Sequence, residues 1–156
     1  MKSIPLLLIA GSLSLFAAGC GGDDKDSDSA ARGYDETGQA INDVCVRAEA
    51  EAKPAGEKVT GEANQADADA LQELVDINEK YIAEIKEIKP DSKLQATYDD
   101  YVGTLDRMQE LTVDAQKAAA DGDKAAFQSA AQEIQANDVE NDRLGQALGA
   151  PDCATD

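Results

Sequence analysis

The stretch Leu94–Lys124, LQATYDDYVGTLDRMQELTVDAQKAAADGDK, decides how the chain is read. In it Leu94, Tyr98, Tyr101, Leu105, Met108, Thr112, Ala115 and Ala119 recur at intervals of three and four. That is the period of one face of an α-helix, with Thr112 alone breaking the apolar run. Asp121-Gly122-Asp123 then reads as a tight turn between helices. Gly122 supplies a left-handed cap and Asp123 the N-cap of the next helix.

The same period extends in both directions from this point. Downstream, Phe127, Ala130, Ala131, Ile134, Asn137, Asn141, Leu144 and Leu148 lie on one face of a helix over Lys124–Leu148, which Gly149 and Pro151 stop. Upstream, Leu71, Leu74, Asn78, Tyr81, Ile85 and Ile88 mark a helix over Asp67–Lys89 ended by Pro90, and Asp91 or Ser92 caps the one that follows. A first helix over Asp35–Ala52 carries Ile41, Val44, Cys45, Ala48 and Ala52, with Pro54 and Gly56 expected to end it. Residues 53–64 form the connection. No stretch alternates with period two, so the expectation is an all-α, up-down-up-down four-helix bundle. The alternative is three packed helices with a loose first one.

Polar residues on the inner stripes are the candidate site: Asn78, Tyr98, Tyr101, Asn137 and Asn141. At 1.5 Å per residue, Asn141 and Tyr98 lie ~10 Å from one end of the bundle and Asn78, Tyr101 and Asn137 ~15 to 17 Å from it. They form either a layer of buried hydrogen bonds that sets helix register or the lining of a small polar pocket.

The chain has no histidine, which removes Ser-His-Asp and Cys-His catalysis, Glu-x-x-His di-iron sites and haem attachment at Cys-x-x-Cys-His. No phosphate-binding glycine loop is present. The 32 carboxylates include neighbours such as Asp99 and Asp100, or Glu140 and Asp142, but these fall on the outer faces. A useful acid and base pair needs one member buried, so no enzyme, cofactor or metal site is expected. Met108 reads as packing. A net charge of −18 argues against nucleic acid or anionic lipid as a partner.

The N-terminal region is organised around Cys20. Lys2 and an apolar run from Ile4 to Ala18, too short to span a bilayer, precede Ala17-Ala18-Gly19-Cys20. This resembles the lipobox of a bacterial lipoprotein. The resemblance implies a signal peptide over residues 1–19, a diacylglyceryl group on the Cys20 sulfur and membrane attachment through that lipid. Its location would be extracytoplasmic. An ordinary signal peptidase cut at the same small residues, leaving a free thiol, is the alternative. Residues 21–33 hold four aspartates and no large apolar side chain, so residues 20–33 read as a lipidated cysteine and flexible acidic tether. Its thirteen residues after Cys20 span ~20 Å. Asp24, Asp26 and Asp28 imitate a calcium loop, but Ser29 stands where it needs Gly and Asp35 where it needs Glu.

With Cys20 acylated, Cys45 and Cys153 remain as an even pair in an oxidising compartment, and a disulfide follows. In an up-down-up-down bundle the two fall at the same end, which agrees with the helical period. A cysteine in the first helix with the ending Ala147-Leu148-Gly149-Ala150-Pro151-Asp152-Cys153 also resembles a group of uncharacterised small exported proteins of actinobacteria. That resemblance covers most of residues 35–153 and implies the disulfide and an envelope location, with no activity attached. The functional expectation for the domain over residues 34–156 is a lipid-anchored, non-enzymatic interaction or structural module of the cell envelope, with another envelope protein as partner. The alternative is a binding protein that holds a small molecule or cation in the bundle core.

Overall fold

The computed structural model describes residues 34–153. The Cys20 anchor, the signal segment and the tether lie outside them. Four helices follow one another, α1 (Tyr34–Gly56), α2 (Gln65–Lys86), α3 (Gln95–Ala120) and α4 (Lys124–Ala147), and a single 3₁₀ turn at Pro151–Cys153 closes the chain. The all-α expectation is met.

Cross-helix pairs give the directions. Arg47 meets Glu84, Glu51 meets Lys80 and, just past the end of α1, Lys58 meets Glu73, so partners on the second helix descend as the chain of the first ascends. Between α2 and α3 the Tyr98 hydroxyl donates to the Ile85 carbonyl, while Gln109 Nε2 reaches the Val75 carbonyl at 3.0 Å. Between α3 and α4, Arg107 pairs with Glu133 and Asn137 Nδ2 donates to the Thr104 carbonyl. Each neighbour is antiparallel to the last, giving the up-down-up-down order. Packing runs α1 on α2, α2 on α3 and α3 on α4, whereas α1 is joined to α4 chiefly through the C-terminal turn.

The turns show why the helices stop where they do. Gly122 adopts φ +69°, the Asp123 N–H bonds the Ala118 carbonyl at 2.8 Å, and the Asp123 side chain accepts from Ala125 and Ala126 N–H. This is the cap and turn anticipated from the sequence. Gly149, at φ +80°, does the same for α4, with the Ala150 N–H on the Gly145 carbonyl.

Three helices depart from their expected bounds. Helix α1 runs through Pro54 to Gly56 instead of ending at Ala52. Proline removes one donor, but here it sits in the last turn, and the Glu57 N–H still bonds the Lys53 carbonyl at 3.0 Å. Helix α2 starts at Gln65, where Asn64 caps the Asp67 N–H, and ends at Lys86, three residues before Lys89. Its final turn tightens, the Glu87 and Ile88 N–H groups bonding carbonyls three residues back, as the chain prepares for Pro90. Helix α3 begins at Gln95, because Asp91 spends its side chain on the Lys93 N–H in a separate turn.

Two apolar clusters fill the interior. One holds Ile41, Val44, Tyr81, Ile85, Tyr98, Tyr101, Leu144, Leu148, Ala150 and Cys153, drawn from all four helices and the C-terminal turn. The other holds Ala63, Ala68, Leu71, Ala115, Ala118, Ala119, Phe127 and Ala130, with nothing from α1. A disulfide joins Cys45 to Cys153 across the first cluster, with Cα atoms 5.3 Å apart. In the chain-entropy account a loop of this length contributes up to ~4.7 kcal/mol.

Candidate functional site

The five polar residues singled out from the sequence do not form one layer. Asn137 and Asn141 come together on α4 through Thr104 of α3. Asn137 Nδ2 donates to the Thr104 carbonyl at 3.0 Å, and the Thr104 hydroxyl lies 2.8 Å from Asn141 Oδ1 and 2.7 Å from the Tyr101 carbonyl. The hydroxyl has a single proton to share between these two acceptors, and it is the bonds of Thr104 to Asn137 and Asn141 that tie α4 to α3. Tyr98 points elsewhere, donating to Ile85 on α2. Burial first, and Asp99 second, hold its phenol up at about 12, so it stays a neutral donor at any physiological pH.

Tyr101 is fully buried and fills the space beneath the disulfide. Its hydroxyl lies 3.6 Å from Cys45 Sγ, and its ring lies close to Gly145. Burial pushes its phenol above the usual tyrosine range, with Asp142 adding to the effect. Asn78 is half-buried on α2, and among the described residues no hydrogen bond joins it to the other four. The polar layer of the sequence reading therefore divides into an α3–α4 lock, an α2–α3 bond and a tyrosine under the disulfide. The reason is direction: inner-stripe residues at similar heights on different helices point at different neighbours.

Among the described residues, two of the open surface depressions are not lined by Asn78 or Asn141. One, of about 360 Å³, lies between the end of α3 and the start of α4. The other, of about 510 Å³, lies over Ile88, Pro90 and Val102 at the α2–α3 corner. No group of three or more potential metal-ligating side chains occurs among the described residues, and no helix there is long and apolar enough to cross a membrane.

Three features escaped the sequence reading. Asp67 is fully buried, its carboxylate accepting from the Thr60 N–H at 2.6 Å, the Thr60 hydroxyl at 2.9 Å and the Ala63 N–H at 2.9 Å. Burial raises its pKa, but these donors outweigh burial and hold the carboxyl below its ordinary range. Thr37 and Gly38, in the first turns of α1, are buried, and a Cβ on Gly38 would lie 2.1 Å from the Gly149 carbonyl oxygen. On α4, Asp138 is half-buried, and burial followed by the neighbouring Asp142 raises its carboxyl to about 6. A buried aspartate in an acid-rich chain, or a glycine in a helix, carries no local signal of such a role.

Compared with known proteins, the chain matches no family model, no curated protein and no solved structure.

Proposed function

We propose that the protein is a lipid-anchored, extracytoplasmic helical module of the cell envelope that works by contact with another envelope protein, without catalysis. The observation that carries this reading over a ligand carrier is the filled core. Tyr101 occupies the interior at the level where a polar pocket was anticipated, and Asn137 Nδ2 and Asn141 Oδ1 are both engaged by Thr104. A ligand site needs unfilled space and uncommitted donors. The Cys45–Cys153 disulfide suits an oxidising compartment, and Ala17-Ala18-Gly19-Cys20 supports the anchor. Absence of histidine and a net charge of −18 support a role away from histidine-based catalysis and nucleic acid.

Native mass spectrometry of the full-length protein, extracted gently from its own membranes without reductant, tests this. The expected species is an acylated chain beginning at Cys20, two hydrogens short, carrying a second protein. A small molecule bound in stoichiometric amount would favour the carrier reading instead, and an unacylated chain would remove the anchor.

A further inference from the structure

We infer that the Cys45–Cys153 disulfide is a redox latch: its reduction releases α1 while α2, α3 and α4 stay folded as a three-helix unit. The inference starts from how α1 is held. Its buried apolar side chains Ile41 and Val44 belong to the cluster beneath the disulfide. Farther along the helix its inner face offers only Ala48 and Ala52, both half-buried, before buried Ala55. The polar ties to α2 gather around one residue: the exposed pairs Arg47–Glu84 and Glu51–Lys80, of a kind worth little in water, the Tyr81 hydroxyl donating to Glu51 at 2.6 Å, and the Arg47 guanidinium over the Tyr81 ring. On its other side α1 reaches α4 through the C-terminal turn, which the disulfide fastens to it.

The other three helices have an interior of their own. The second cluster draws on α2, α3, α4 and Ala63 of the connection, with Val59 packed against it, and includes no residue of α1. Asp67 clasps the connection at Thr60 and Ala63, so the chain stays fixed at the start of α2 even where α1 leaves. Stability is thus divided unevenly along the molecule, the condition for one element to open before the rest.

The reductant is an extracytoplasmic dithiol. Cys45 is half-buried and Cys153 buried, so an incoming thiolate meets Cys45 Sγ first. The S–S bond breaks, a mixed disulfide forms with Cys45, and Cys153 leaves as a thiolate that takes up a proton. The second thiol of the reductant gives up its proton and attacks the mixed disulfide, and Cys45 departs and is protonated in turn. The dithiol is oxidised by two electrons and the bridge reduced by two. On the anchored reading, released α1 would add its length to the chain between Cys20 and the remaining core. The latch itself does not depend on the anchor.

Hydrogen exchange with mass detection on the lipid-free mature chain separates the two ideas. Oxidised protein is compared with protein reduced by dithiothreitol after folding, and with a Cys45→Ser, Cys153→Ser double variant without reductant. Reduction is expected to speed exchange in the peptides of α1 at least tenfold, leaving those spanning Leu111–Ala130 within twofold, and the variant is expected to match. Unchanged α1 protection overturns the latch, and so does loss of protection throughout the molecule, in the reduced chain or in the variant.

Discussion

At the end of the bundle that carries the disulfide, the interior is built from Tyr81, Tyr98, Tyr101, Ile41, Ile85, Leu144 and Leu148, and the backbones of α1 and the C-terminal turn touch at Gly38 and Gly149. At the opposite end the interior is mainly alanine around Leu71 and Phe127, and order comes from a buried carboxylate that ties down a connection. The first end gains its stability from area removed from water and from a covalent closure. The second gains it from close approach of small residues and from hydrogen bonds to one charge. Large side chains tolerate loss of a polar contact better than a buried charge tolerates loss of a donor, so the two ends should fail differently.

Gly38→Ala should have the largest effect. The new methyl group meets backbone, not a side chain that can turn away, and the disulfide prevents the turn from retreating freely. A loss on the order of 3 kcal/mol in urea unfolding is expected. A loss below ~1 kcal/mol would show that the glycine contact is not what seats the C-terminal turn.

Asp67→Asn acts at the other end and should cost about 2 kcal/mol at neutral pH, because one of the donors from Thr60 and Ala63 loses its acceptor. Its folded pKa is depressed, so the stabilisation is present above the unfolded value of ~3.9 and is lost as pH falls through the folded value. The gap between variant and parent should therefore narrow below about pH 4. A gap that stays constant with pH would mean that the charge is not the stabilising element.

Asp138→Asn should be the mildest change and should stabilise. Here the folded pKa is raised, to about 6, so the folded chain binds protons that the unfolded chain has released, and stability declines as pH rises from ~4 to ~6. Because the residue is only half-buried, the gain at pH 7.5 is discounted to about 1 kcal/mol, with little change at pH 4. Equal gains at both values would assign the effect to packing instead of charge.

Helix number, direction and the α3–α4 turn were legible because each depends on local chemistry: a three-to-four spacing, a glycine where φ is positive, an aspartate where N–H groups are exposed. Pairing of Cys45 with Cys153 was legible because topology and cysteine count left one arrangement once Cys20 was set aside. Less was legible at helix ends, where Pro54 reads as a stop but sits in a turn that has few bonds left to lose.

By itself, then, the sequence determined an all-α chain with inward stripes and a joined first and last helix, since periodicity is a property of neighbours along the backbone. Only the tertiary structure decided that Tyr101 lies under the disulfide, that Thr104 links Asn137 and Asn141, that Asp67 is buried, and that the alanine cluster excludes α1. Each of these depends on the rotation of one helix against another. That rotation is set by how side chains of different volume interdigitate across the interface, and spacing along a single helix carries no record of it.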